Sequence, residues 1–114
     1  MIRHLVMWRF KTRAEGRTAA VNRERVRQAL RALPAQIPGI VEFRVASIDD
    51  ADPEACQLCL DSLFESHEAL QAYAVHPAHQ AVVALLRKVR SEKRFADFEL
   101  EGPDTVTTGN RQAN

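Results

Sequence analysis

The segment Ile2–Phe10 reads IRHLVMWRF, and its pattern decides the fold. Side chains alternate between two faces along this segment, which predicts a β-strand. Val6 and Trp8 belong to one face, whereas Leu5 and Met7 belong to the other. Because both faces carry large apolar side chains, both faces of the sheet around this strand are expected to need a cover.

Three further strands and three helices are expected along the chain. Apolar residues recur at helical spacing from Thr18 onward, and Pro34 ends that helix. Ser66 is the predicted N-cap of a short second helix, and Pro77 is the predicted first residue of a third. The other strands are predicted at residues 40–47, 56–64 and 94–100, and polar turns at residues 11–16 and 49–54.

The order of these elements predicts the fold class. A strand, a helix, two strands, a helix pair and a last strand form two βαβ halves, which is typical of a ferredoxin-like α+β sandwich with a four-stranded antiparallel sheet and helices on one face. The second face of such a sheet is polar in a monomer. Here it carries Leu5, Met7, Cys59 and Leu63. We therefore expect a homodimer that packs two such faces against each other.

Length and charge exclude several classes of protein. The chain has 114 residues, enough for one domain but not for two separate cores. Its net charge of +1 excludes a globally basic nucleic-acid binder and an acidic disordered chain. The longest apolar run, Ala81–Leu86, is too short to cross a bilayer, and the first residues lack the pattern of a secretory signal. We expect a cytoplasmic protein without nucleic-acid or membrane partners, with one domain at residues 1–101 and a flexible tail at residues 102–114.

Cys56 and Cys59 have the spacing of half a redox or zinc motif. In a strand, residues three apart point to opposite faces, with α-carbons about 10 Å apart. A disulfide tolerates no more than about 7 Å, and no second pair of zinc ligands follows. The pattern predicts two structural thiols and no metal site.

Several segments resemble the stress-responsive dimeric α/β-barrel domain family. They are HLVMWRFK at residues 4–11, L-x-x-x-I-P-G-I at 33–40, L-F-E-S-x-E-A-L-x-A-Y at 63–73, H-P-A-H at 76–79 and the closing Asp97-Phe98 pair. The resemblance extends over about residues 2–100. It implies a ferredoxin-like protomer and a homodimer whose two sheets form a barrel.

The same resemblance implies site residues. One plant member of the family, olivetolic acid cyclase, closes a linear polyketide by aldol condensation without a cofactor, using histidines and a tyrosine in a pocket between sheet and helices. The corresponding positions in this sequence are His4, Tyr73 and His79. Where the cyclase has a further pocket histidine, this sequence has Leu58.

Physical reasoning on the residues supports a pocket around the same three side chains. His4, Tyr73 and His79 fall on faces that otherwise consist of apolar residues. An imidazole or phenol buried without a partner costs about 1–3 kcal/mol, so the three are expected to meet one another, a backbone carbonyl, water or a ligand. An imidazole that is neutral near pH 7 can remove a proton next to a carbonyl while a phenol donates to the oxygen. The predicted pocket walls are Val6, Trp8, Leu58, Leu70, Val82 and Val83.

The expected function is acid–base chemistry of the cyclase, lyase or isomerase type on a small apolar carbonyl compound, without cofactor or metal. The alternative is a non-catalytic dimeric module that binds small apolar ligands or protects other proteins under stress. RNA binding is disfavoured because the third strand, CQLCLDSLF, has a single aromatic residue. Haem degradation, with a histidine as axial ligand, is a further alternative. Its only support in the sequence is the presence of histidines that have no other assigned role. Asp97 is expected to anchor the last strand or to pair with a basic neighbour.

Overall fold

The computed structural model describes residues 1–100, so the expected tail at residues 102–114 lies outside the described residues. The strands are β1 (Ile2–Phe10), β2 (Arg13–Ala14), β3 (Arg17–Thr18), β4 (Ile40–Ser47), β5 (Leu58–Phe64) and β6 (Arg90–Glu99). The helices are α1 (Ala19–Arg31), α2 (His67–Val75) and α3 (Pro77–Val89). None of these helices combines the length and the apolar character that crossing a membrane requires.

The four long strands form one antiparallel sheet in the order β4-β5-β1-β6, and the three helices pack on one of its faces. This topology confirms the predicted ferredoxin-like α+β fold. Register brings four helix-facing residues into one row across the sheet: Phe43, Ser62, His4 and Asp97. The core lies between this face and the helices, and Trp8, Phe64 and Leu30 are buried in it.

Local signals in the sequence place the two C-terminal helices. The hydroxyl of Ser66 accepts a hydrogen bond from the Ala69 amide at 3.1 Å, which confirms the predicted N-cap of α2. Pro77 is the first residue of α3, also as predicted. His76 has a capping role that the sequence pattern does not predict, because its Nδ1 accepts from the Ala78 amide at 3.0 Å at the start of α3.

Three segments differ from the sequence prediction. The strand expected at residues 56–64 begins at Leu58, so Cys56 lies outside it. The expected polar turn at residues 11–16 contributes to a small hairpin of β2 and β3, and the buried Asn22 holds this hairpin by donating to the Ala14 carbonyl at 3.0 Å. The last strand begins at Arg90, four residues earlier than Arg94, because residues 90–93 pair with the end of β1. These residues are polar and β6 is a sheet edge, so apolar alternation gives no signal there.

The outer face of the sheet, opposite the helices, is mixed rather than uniformly apolar. Arg3 Nη1 donates to Glu42 Oε1 and to Asp61 Oδ1, both at 3.1 Å, and these ion pairs cross its middle. Beside them, Met7 is 39% exposed and Phe98 is 47% exposed. The large uncovered apolar side chains on this face are therefore concentrated in β1 and β6.

Gly39 allows α2 to lie close to the start of β4. Its φ of +90° is in the left-handed region, and a Cβ at this position would lie 2.8 Å from the Cβ of Ala69 in α2. The Gly39 carbonyl also accepts from the Glu65 amide at 3.0 Å. This approach helps to set the position of α2 on the sheet.

We expect Gly39→Ala to lower the free energy of unfolding by about 2 kcal/mol or more, because backbone strain and the contact with Ala69 add. Gly16→Ala is the matched control: its φ is +75°, but nothing lies within 4 Å of the added Cβ. Urea unfolding measures both variants. Equal losses for the two would contradict a close contact at Gly39.

Candidate functional site

A cavity of about 240 Å³ lies between the helix-facing side of the sheet and the helices. At about 30 Å³ for each water molecule, it has room for about eight waters, or for a small organic molecule. The three predicted polar residues, His4, Tyr73 and His79, all line this cavity. We call it the chamber.

Five of the six predicted wall residues line the chamber: Val6, Trp8, Leu70, Val82 and Val83. Leu58 does not; its side chain is 0% exposed and packs into the core beside Trp8. Leu60, two residues along the same face of β5, lines the chamber instead. The alternation of the strand predicts the correct face, but the sequence does not reveal how far the chamber extends along it.

Tyr73 is positioned by α2 and packed by aromatic rings. It is 1% exposed, and its ring centroid lies 4.9 Å from that of Phe64 and 4.3 Å from that of His79. Its hydroxyl has no hydrogen-bond partner among residues 1–100. Burial raises the pKa of the Tyr73 phenol far above its ordinary value of 10.0. The phenol therefore stays protonated and acts as a hydrogen-bond donor.

His79 lies on α3 against the Tyr73 ring. Its Nδ1 is 3.0 Å from the Ala74 carbonyl oxygen, and because a carbonyl only accepts, Nδ1 carries the proton and donates. Desolvation lowers the pKa of His79, with further lowering by the charges of His4, Lys93 and His76, while the hydrogen bond to Ala74 opposes the shift. The imidazole is therefore neutral near pH 7, and its Nε2 carries a lone pair.

His4 is held by the neighbouring strand β6. Its Nδ1 lies 2.5 Å from Oδ1 of Asp97, its register partner, and the carboxylate accepts the proton of this nitrogen. Asp97 thus orients His4, which agrees with the expected pairing to a basic neighbour. The His4 ring centroid is 6.1 Å from that of Tyr73. The chamber therefore brings together a phenol donor, a neutral imidazole and an imidazole–carboxylate pair.

Three cations also line the chamber, and sequence reasoning did not place them there. Arg87 lies in the last turn of α3, whereas Arg90 and Lys93 lie at the start of β6. Arg90 and Lys93 were not predicted to line the pocket because the strand that carries them was expected to begin only at Arg94. No three His, Cys, Asp or Glu side chains within residues 1–100 cluster so as to hold a metal ion.

The fold and the chamber define a ferredoxin-like domain with a pocket lined by imidazoles and a phenol. The family model described as stress responsive A/B barrel domain matches residues 2–100, and the chain belongs to this family. The resemblance drawn from the sequence motifs is confirmed.

Relatives and solved structures are similar over nearly the same length. An uncharacterized protein of Streptomyces coelicolor is 34% identical over 104 residues, covering 87% of this chain and 99% of that protein. A dimeric ferredoxin-like protein of unknown function from Bacteroides fragilis is 24% identical with a TM-score of 0.74, covering 87% of this chain and 95% of that one. A hydroxynitrile lyase from Passiflora edulis is 12% identical with a TM-score of 0.75, covering 93% of this chain and 96% of that one.

The lowered pKa of His79 makes stability depend on pH. Below about pH 6.5, the ordinary histidine value, the unfolded chain binds a proton at this residue that the folded chain resists. The contribution of His79 to stability is therefore present above pH 6.5 and is lost as the pH falls. Between pH 8 and pH 5, the free energy of unfolding measured in urea should fall less for His79→Gln than for the unchanged protein.

His67→Gln is the control for this measurement, because His67 lies at the start of α2 and does not line the chamber. It should keep the full decline in unfolding free energy. Parallel pH profiles for His79→Gln and the unchanged protein would show that His79 titrates alike in the folded and unfolded states.

Proposed function

We propose that the protein is a cofactor-independent acid–base enzyme that moves a proton on a small apolar carbonyl compound held in the chamber. One observation carries this proposal: the ring of Tyr73, whose hydroxyl has no partner among residues 1–100, packs 4.3 Å from the ring of His79, whose proton is fixed on Nδ1. The Tyr73 phenol is a hydrogen-bond donor and the His79 imidazole is a neutral base, and both line a pocket with apolar walls. This pairing fits an enolisable group, which has an acidic C–H next to a carbonyl oxygen.

The proton transfer follows from these positions. Nε2 of His79 takes a proton from the carbon next to the carbonyl, and the C–H electron pair moves into the C–C bond as the carbonyl π pair moves to oxygen. The Tyr73 O–H donates to this oxygen, where negative charge develops. The proton returns to the same carbon, or to another position of the enolate, so the net reaction is exchange or isomerisation.

We assign His4 as the second group that accepts or delivers a proton. Its Nε2 is free to accept a proton because Nδ1 donates to Asp97. The Asp97 carboxylate holds the His4 ring in this tautomer and orientation, as in other histidine–carboxylate pairs. His4 and His79 therefore allow removal of a proton at one side of the substrate and delivery at another.

The direct test is deuterium exchange on 2-octanone in D₂O, followed by proton NMR at the carbons next to the carbonyl. We expect His79→Gln and Tyr73→Phe each to slow the enzyme-dependent rate by about 10²-fold, since general base and oxyanion donor contribute at least this much. His67→Gln, outside the chamber, should keep the full rate. A rate for the unchanged protein no greater than that of free imidazole at the same concentration would contradict the proposed enzyme.

The proposal includes a homodimer formed through the outer sheet face. The exposed Met7 and Phe98 lie on this face, and pairing it with a second copy removes their apolar surface from water. The dimeric state of the Bacteroides fragilis protein supports self-association. Cys56 and Cys59 are free thiols, which supports a place in the reducing cytoplasm.

Substitutions on the outer face should separate the two subunits. We expect the unchanged protein to sediment at about twice its mass of 12.9 kDa, and Met7→Lys to shift the equilibrium toward the single subunit because the buried charge is unpaired. Val75→Lys is the matched control, since Val75 is exposed on α2, away from the sheet. A single subunit at micromolar concentration for the unchanged protein would exclude the dimer.

A non-catalytic binding or protective module is the second candidate function. Phe95 in the edge strand β6 is 62% exposed and lines the chamber, and an exposed apolar side chain beside a pocket suits contact with small apolar ligands. The exchange experiment separates the candidates. Saturable binding of 2-octanone without deuterium exchange supports the module and excludes the enzyme.

A further inference from the structure

The chamber has different chemistry at its two ends. His4 and Asp97 mark one end, and Lys93, the register partner of Trp8, marks the other. Four residues of β6 separate Asp97 from Lys93, which corresponds to about 13 Å of strand. On α3, eight residues separate His79 from Arg87, or about 12 Å of helix. Along both β6 and α3, the residues with proton-transfer groups are therefore separated from the cationic residues by a similar distance.

The cations at the second end lack carboxylate partners. Within residues 1–100, none of Arg87, Arg90 and Lys93 forms an ion pair. Lys93 Nζ lies 5.4 Å from the ring centroid of Phe95, its only specific contact among these residues. The carboxylate of Asp97, whose charge still acts on Lys93 from the first end, already accepts the proton of His4 Nδ1. The positive charge at this end of the chamber is therefore left for something outside residues 1–100 to neutralise.

The cations are also close enough to oppose one another. Desolvation lowers the pKa of Lys93, and the charges of Arg90 and Arg87 lower it further, while Asp97 acts in the opposite direction. Arg87 and Lys93 are exposed and Arg90 is half-buried, so water screens part of the repulsion among the three like charges. An anion bound among them would relieve this repulsion.

Deepening the function proposed above, on which this inference rests, we propose that the substrate is an anionic carbonyl compound. Its carboxylate would bind Arg87, Arg90 and Lys93, its apolar body would contact Val6 and Leu86, and its carbonyl would reach Tyr73. Since the long cationic side chains shorten the gap of about 13 Å between the two ends, a carbonyl six to eight carbons from the carboxylate fits. A medium-chain oxo-acid has this form.

Two methyl ketones that differ only in the carboxylate test this inference: 7-oxooctanoate and 2-octanone. Trp8 is the one tryptophan of the chain and lines the chamber beside Lys93, so its fluorescence reports binding without any turnover. We expect Arg90→Gln and Lys93→Gln each to weaken binding of 7-oxooctanoate by about two- to fivefold, the range for partly exposed ion pairs. Binding of 2-octanone should stay unchanged in both variants.

Lys88→Gln is the matched control, because Lys88 neighbours Arg87 on α3 and is exposed like Arg87, but does not line the chamber. It should leave both affinities unchanged. Added salt should weaken binding of 7-oxooctanoate and not of 2-octanone. No saturable binding of 7-oxooctanoate, or equal effects of Arg90→Gln and Lys93→Gln on both ketones, would overturn the anion site.

The two proposals fail separately. If 7-oxooctanoate binds through the cations but neither ketone exchanges deuterium, the anion site stands and the acid–base enzyme is excluded. If both ketones exchange deuterium through His79 but Lys93→Gln leaves the Michaelis constant for the oxo-acid unchanged, the enzyme stands and the anion site is excluded. Both stand if Lys93→Gln raises the Michaelis constant for the oxo-acid alone and His79→Gln lowers kcat for both ketones.

Discussion

Strand β1 is hydrogen-bonded on both sides, to β5 and to β6, and the chamber depends on this double pairing. Because register is fixed on both sides, each helix-facing residue of β1 has one determined neighbour in each flanking strand. His4 lies between Ser62, whose hydroxyl donates to the His4 carbonyl at 2.8 Å, and Asp97, which accepts from its ring. A slip of one residue would turn His4 to the outer face and remove it from the chamber.

Burial in the chamber shifts the pKa values of Tyr73 and His79 in opposite directions. Removing water disfavours any charged form, so the Tyr73 phenol keeps its proton and the His79 imidazole stays without a second one. One desolvating environment thus produces a donor and a base that are ready at neutral pH. The hydrogen bond to the Ala74 carbonyl then selects which ring nitrogen of His79 carries the lone pair.

The sequence was informative where local physics decides the structure. Alternation in residues 2–10, the cap at Ser66 and the proline at residue 77 predicted the strand face of His4 and both C-terminal helices. The grouping of His4, Tyr73 and His79 as one site came from the family resemblance, and all three line the chamber. The pairing of His4 with Asp97 needs the register of two strands that are distant in sequence, which no local pattern contains. The position of Leu58 outside the chamber and of Lys93 inside it likewise depends on where the strands end.

The central claim is that His79 presents an unprotonated Nε2 beside a protonated Tyr73. Long-range proton–nitrogen correlation NMR on the protein with ¹⁵N-labelled histidine reports the protonation state of each ring nitrogen directly. At pH 7, we expect His79 to be the neutral tautomer with its proton on Nδ1 and with Nε2 bare. A proton on Nε2, in either the other neutral tautomer or the imidazolium form, would contradict this claim.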